Sequence, residues 1–362
     1  MILMAVLGTI LIAMALAARM GEVGVDAQKL LDYSLNRENN YQVARSAVEM
    51  GCRLLEADSG DTDSFQDMWA AGTVTLEWEG KKVAVSIVDE ESKFPLSAMQ
   101  RQPDNCEYLQ EALVRFFSNA GLGTGEEACD RFLDWVDADS QRRSRGGEGS
   151  DYPELTIKDS PVDSLEEILV LPGWEQEPIY PVPRGQQSLQ SVSAQIELSD
   201  SGAGASLDGS LDTTATPNSS EATKSDEAAL PSYHLEAPSA QTLGQGDTSP
   251  WREWMSVHSP GLINLNTAPK EILLCLDESM TQTLVDEIDT RRRSEAFKNV
   301  DELRNLAGMD ADLLFRIQDY LCVKSKIFTI EAVVFNSPGR LTLRATVDRS
   351  SGPLKVLRWH IF

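Results

Sequence analysis

The first eighteen residues hold no charged side chain, and the first charge is Arg19. A stretch of that length just reaches across the hydrocarbon of a bilayer as a helix, for which about 20 apolar residues are needed. A secretory signal is the competing reading, but it calls for a basic leader and a small-x-small cleavage site, and neither is found. Apolar residues instead continue at helical spacing past Arg19, at Leu30, Leu31, Tyr33 and Leu35 and then at Val43, Ala44, Ala47, Val48, Gly51, Leu54 and Leu55. One long helix accommodates both halves. Its first half is expected in lipid or against other apolar helices. Its second half, carrying Asp26, Lys29, Arg37, Glu38 and Arg45, is expected to be amphipathic in water.

Two sets of strand signals bracket the remainder. Residues 73–78 and 81–89 alternate around Glu79-Gly80, a hairpin pattern. Near the other end, residues 328–335, 340–349 and 354–362 alternate likewise, with Leu341, Leu343 and Ala345 set against Thr342, Arg344 and Thr346. One antiparallel sheet drawn from both ends of the chain is the economical arrangement, which makes the protein α+β and leaves its middle as an inserted, mainly helical domain. The expected division is residues 1–18 for a membrane or assembly segment, 19–98 for the stem helix and first hairpin, 99–326 for the insert, and 327–362 for the closing strands. Residues 185–249 are rich in Ser, Thr, Ala, Gly, Gln and Asp with few large apolar groups. Such a segment cannot offset its ordering entropy and is expected to be a disordered loop of the insert.

The region 263–321 reads as paired short helices. Thr267 is placed to cap a helix with Pro269 in its first turn, and Ile272, Leu273, Leu276, Leu284, Val285, Ile288, Val300, Leu303 and Leu306 recur at helical spacing. It resembles helix-hairpin-helix DNA-binding modules, whose glycine-rich turn brings backbone amides to a phosphate. Here that turn is Leu276-Asp277-Glu278-Ser279-Met280, without glycine and with two carboxylates. The whole chain carries 32 Lys+Arg against 57 Asp+Glu, a formal net charge of −25, so nucleic acid is not expected as a partner. Arg291, Arg292 and Arg293 form the one dense cationic run, read as a solvated helix end. A membrane-anchored DNA-uptake protein is the alternative that the module resemblance leaves open.

Several separate stretches together resemble one family, the minor pseudopilin K of the type II secretion system. They are the apolar amino-terminal helix; Ile87-Val88-Asp89-Glu90-Glu91-Ser92-Lys93; Phe132-Leu133-Asp134-Trp135-Val136-Asp137-Ala138-Asp139 with Gly147-Glu148 and Tyr152; Ser164-Leu165-Glu166-Glu167-Ile168-Leu169 with Pro172-Gly173; residues 263–269; and Ser325 through Phe328. The resemblance implies a pilin-like α/β body interrupted by a large helical domain, at the tip of a periplasmic pseudopilus. It implies the minor pseudopilins I and J as partners, other pseudopilins through the amino-terminal helix, and contact with exported substrates or the secretin. The expected location is the inner membrane, single-pass, with the carboxy-terminal part periplasmic. A bulky insert at the head would block a further subunit above it, which favours a cap over a repeating filament subunit.

One constellation carries site chemistry. Asp134, Asp137, Asp139, Glu148 and Asp151 surround the Gly-containing loop 140–150, and hard oxygen ligands on such a loop suit Ca²⁺, which accepts six to eight oxygens. The family resemblance implies calcium in the helical domain as well. The other reading, a solvated acidic loop held by Arg142, Arg143 and Arg145, stays open. Trp135, flanked by Phe132, Leu133 and Val136, reads as core. Cysteines lie at 52, 106, 129, 275 and 322 without CxxC spacing, so a zinc or redox site is not expected; Cys106 with Cys129, or Cys275 with Cys322, could pair in an oxidising periplasm. His234, His258 and His360 sit in no recognisable catalytic arrangement, and the protein is not expected to be an enzyme.

Overall fold

The computed structural model describes residues 2–78, 80–152, 157–176, 250–336, 339–350 and 353–362. The loop expected at 185–249 lies outside them. Side chains of most of residues 1–18 lie outside them too, and among the described residues no helix is long and apolar enough to cross a membrane.

No proline occurs before Pro95, and α1 runs unbroken over Ile2–Ala57. Midway along it Leu30, Leu31, Tyr33 and Leu35 are exposed, while Val43, Ala44, Ala47, Val48 and Leu55 form a buried stripe. The small residues in that stripe let the helix lie close to the sheet. At Gly51 an added Cβ would come within 2.9 Å of Ile330 Cγ2.

The sheet beneath α1 has five antiparallel strands, β1 (Val74–Trp78), β2 (Lys81–Asp89), β7 (Ile327–Asn336), β8 (Gly339–Asp348) and β9 (Lys355–Ile361), in the order β1-β2-β7-β8-β9. Alternation decides which side chains face the helix. Val83 and Val85, Phe328, Ile330, Ala332 and Val334, and Leu341, Leu343, Ala345 and Val347 turn inward and pack with the α1 stripe. Thr342, Arg344 and Thr346 take the other face, as the sequence pattern requires.

Between β2 and β7 the chain makes its long excursion, yet Asp89 and Phe328 are register partners. Sheet pairing therefore runs as a hairpin whose loop is an entire second core. That core gathers α2 (Leu96–Arg101), α3 (Glu107–Ala120), α4 (Gly125–Val136), α5 (Lys270–Cys275), α6 (Gln282–Ser294) and α7 (Ala311–Ile317) around Phe94, Phe116, Phe117, Phe132, Trp174 and Trp251. Two short parallel pairings stitch it together, β3 (Phe94–Pro95) with β4 (Met255–Ser256) and β5 (Ile263–Asn264) with β6 (Leu321–Cys322). The direction of the insert follows from three contacts. Lys81 at the start of β2 donates to Asn40 of α1 (2.8 Å), whereas the far end of the sheet meets the end of the helix through Arg349–Asp58 (3.2 Å) and Leu354 N–Glu56 (3.3 Å). The insert thus leaves the sheet at the end of α1 opposite its exposed stem. It also leans over the face away from α1, where Arg252 pairs with Glu331 at 3.0 Å.

Three local expectations are corrected. Thr267 does not cap α5, which starts after Pro269 without a side-chain cap; its hydroxyl donates to Asp89 instead (2.6 Å). Arg292 is not solvated. It is buried, and donates to the carbonyls of Leu265 (2.9 Å) and Ala268 (2.7 Å) and to Asp289. No disulfide forms: all five cysteines are free thiols, Cys275 donating to Glu271 O and Cys322 to Glu91.

Candidate functional site

Of the five acids around the loop after α4, the structure brings three together as potential ligands. Asp137, Asp139 and Glu148 each present an oxygen within 4.8 Å of the others'. Asp137 Oδ1 and Glu148 Oε1 are buried without a hydrogen-bond partner. Burial, then the neighbouring charges of Asp134 and Asp137, push the Glu148 carboxyl up; burial also raises Asp137, against the pull of Arg143. Such a group is short of positive charge.

Asp134 and Asp151 are already engaged. Asp134 is fully buried and accepts from Arg143 Nη1 (2.8 Å) and Arg143 N (3.1 Å), and the same Nη1 donates to Asp137 Oδ2. Asp151 pairs with Arg142 at 3.2 Å and accepts from Glu148 N at 3.0 Å. These two acids position the loop. Gly146 is required by the same packing, since a Cβ there would lie 1.8 Å from Asp134 Oδ2, whereas at Gly149 it would meet nothing within 4 Å. Gly146→Ala is therefore expected to cost about 1–3 kcal/mol by overpacking, read as a lowered melting temperature, with Gly149→Ala close to neutral; equal melts for the two would contradict this loop geometry. Trp135 is core, as its flanks suggest, and edges onto Tyr152.

Asp58, Asp63 and Asp67 form a second acidic triad that sequence reading did not mark. There a cation is already supplied, because the Arg349 guanidinium pairs with both Asp58 and Asp63.

A third cluster sits where the insert joins the sheet. Asp89, at the end of β2, accepts from Glu91 N (2.8 Å), Asn264 Nδ2 (3.1 Å), Thr267 Oγ1 (2.6 Å) and Ser325 Oγ (2.7 Å). Glu91 accepts from the amides of Lys326 (2.5 Å) and Ile327 (3.2 Å), and Glu90 takes Lys93 at 2.7 Å. Three stretches far apart in sequence, 87–93, 263–269 and 325–328, meet in this one buried network. The residues that make those stretches recognisable are the ones that fasten the insert to the sheet.

The turn 276–280 is closed by its own chemistry. Asp277 accepts from Ser279 N (2.9 Å) and pairs with Arg316 at 2.8 Å, and that guanidinium is the main reason its carboxyl is held at about 2. An acid occupies the turn amide where helix-hairpin-helix modules would present amides to a phosphate. His258 is half-buried and His360 lies on β9; His234 lies outside the described residues.

Two family models match the chain, both described as type II secretion system (T2SS), protein K, one over residues 92–182 and the other over 263–320. They cover the two helical stretches on either side of residues 183–262. A search of curated proteins finds no match. Among solved structures, a chain of the GspK-GspI-GspJ complex from the enterotoxigenic Escherichia coli Type 2 Secretion System is similar over 90% of this chain and 98% of that one, with a TM-score of 0.59 at 16% sequence identity, so the two share a fold. Over residues 92–182 and 263–320 the chain is therefore similar to protein K of the type II secretion system.

Proposed function

We propose that the protein is a minor pseudopilin at the tip of the type II secretion pseudopilus, where it helps to start assembly and caps it, with partners of the I and J type such as accompany the related GspK. The pilin-like reading rests on one long helix laid along an antiparallel sheet. Capping rests on a single observation: the insert leaves the sheet at the end of α1 opposite the exposed apolar stem. A body growing in that direction obstructs a further subunit above, while Leu30, Leu31, Tyr33 and Leu35 remain available below. Anchoring in the inner membrane by residues 1–18, with the rest periplasmic, is supported by the uncharged run. Deleting that run is expected to release the protein into the soluble fraction and abolish secretion, and copurification of the full chain with its I- and J-type partners is the direct test. Secretion at wild-type level without residues 1–18, or retention of the protein on double-stranded DNA at physiological salt, would overturn the reading in favour of another.

Calcium belongs to the same proposal. The orphaned oxygens of Asp137 and Glu148, with Asp139 beside them, are hard donors that the single Arg143 guanidinium leaves incompletely neutralised, and they fit Ca²⁺ with backbone and water oxygens filling its shell. The ion would supply the charge that stabilises this loop. A ligand at one hundred times its Kd adds about 2.7 kcal/mol of stability, so chelation is expected to lower the melting temperature clearly. Asp137→Asn and Glu148→Gln should abolish that calcium-dependent shift and Asp151→Asn should keep it; an unchanged melt on chelation of the wild type removes the site.

A further inference from the structure

The sheet is wider than the helix that covers it. Five strands about 4.8 Å apart place the outer two roughly 19 Å from each other, whereas a helix with its side chains is about 10–12 Å across. α1 lies over β2, β7 and β8. On the β1 side, Trp69 and Ala70 join the α1 core and fill the gap, with Leu76 packed against it. Among the described residues, only the part-buried Leu354 and Val356 pack against that core on the β9 side. Trp359 and Ile361 are register partners of Ala345 and Leu343, so they point to the same face as α1, yet they are 40% and 49% exposed. Leu357, where the β8–β9 register shifts, is exposed as well. The result is an apolar strip on the helix side of an edge strand, running beside α1 with room for a second helix.

We infer that this strip is the seat of the apolar stem helix of a neighbouring, different pseudopilin-type subunit, which lies alongside α1 and over β9. The inference rests on the assembly reading above and deepens it by naming the surface. The chemistry of the occupant follows from this chain itself, whose stem leaves Leu30, Leu31, Tyr33 and Leu35 uncovered. A subunit of this build presents an apolar helical stripe and also an uncovered strip of sheet able to receive one. A second copy is disfavoured as the occupant because the net charge of −25 on each chain opposes self-association. The basic side chains of β9 do not interfere. Arg358 is the register partner of Thr346 on the opposite face, and it donates to Asp163 O of the insert.

The test uses the tagged full chain, coexpressed with the I- and J-type subunits of its own system and extracted in mild detergent. The double variant Trp359→Glu/Ile361→Glu is expected to lose at least tenfold in capture of one of the two subunits, with an unchanged melting temperature because both side chains are already exposed. Trp78→Glu, at the opposite edge of the sheet, is expected to capture both normally. Wild-type capture by the double variant, or equal loss by Trp78→Glu, overturns the docking strip and leaves the assembly reading standing. Failure of the wild type to capture either subunit overturns the assembly reading itself. A photo-crosslinker at position 359 should link to that same subunit, and a crosslink to a second copy of this chain would overturn the choice of occupant.

Discussion

Asp89→Ala is expected to destabilise the protein by on the order of 4 kcal/mol, because it leaves three buried donors, Glu91 N, Thr267 Oγ1 and Ser325 Oγ, without this acceptor, while Asn264 Nδ2 keeps Asp63 O and Ser325 Oγ. Asp89→Asn should cost less, since the two hydroxyls can rotate to donate elsewhere. The network also fixes the pH response. Burial raises the Asp89 carboxyl to about 6 and the Glu91 carboxyl to about 7, the latter with help from the Asp89 charge. Both values lie above those of the unfolded chain, so the folded state binds the extra protons. The stability these groups contribute is full below about pH 4 and is lost as pH rises through 6 to 7. Glu90 acts in a lower window: burial alone would raise it, but Lys93 and His258 more than offset that and hold it at about 2, so its contribution is lost as pH falls from its unfolded value towards 2. Urea melts between pH 4.5 and 7.5 should show stability declining with pH and a flatter slope in Asp89→Asn and Glu91→Gln. If Asp89→Ala melts within about 1 kcal/mol of the wild type, the junction does not hold the insert.

The elements were legible because their signals are local. Alternation at Leu341, Leu343 and Ala345 needs only neighbouring residues, and it placed β8 and its inward face correctly. The long helix and the antiparallel sheet built from both chain ends were equally readable. What could not be read was partner choice across the fold. Asp89-Glu90-Glu91 looks like a solvated turn, yet all three are buried because their donors arrive from residues 256–267 and 325–329. Thr267 precedes a helix and has the composition of a cap, but a carboxylate more than 170 residues away takes its hydroxyl. Arg292 sits in a cationic run at a helix end, yet it falls four residues after Ile288 on the apolar face, and two carbonyls of the 265–268 turn claim its guanidinium. In the acidic loop the structure gathers Asp137, Asp139 and Glu148, three of the five acids marked from the sequence. Spacing could not show that Arg142 engages Asp151 or that Arg143 engages Asp134 and one oxygen of Asp137.

Trp251→Ala is expected to cost about 3–5 kcal/mol, more than its volume alone suggests. The chain leaves the described part of the insert at Gln176 and returns at Pro250, and the two sides of that opening are fastened by the Trp251 indole donating to Trp174 O at 2.8 Å. Trp174 in turn donates to Ala128 O of α4 at 2.9 Å, and its ring lies 5.0 Å from that of Trp251, which stacks on Phe117 at 5.3 Å. An indole therefore fills the centre of the aromatic core and ties both ends of a long excursion to α4. The clasp joins Trp174 and Trp251 directly, and loop-closure entropy grows only slowly with the number of residues between two such ends. Trp251→Phe keeps most of the volume and gives up the donor, so a loss of about 1–2 kcal/mol is expected. Limited proteolysis supplies the second readout. In Trp251→Ala, cleavage should spread into α3 and α4 together, since α3 packs on the ring that has been removed and α4 on its partner Trp174. If α3 and α4 remained protected and the alanine variant melted like the phenylalanine one, the clasp would have no role and the insert core would have to be held by its other packing.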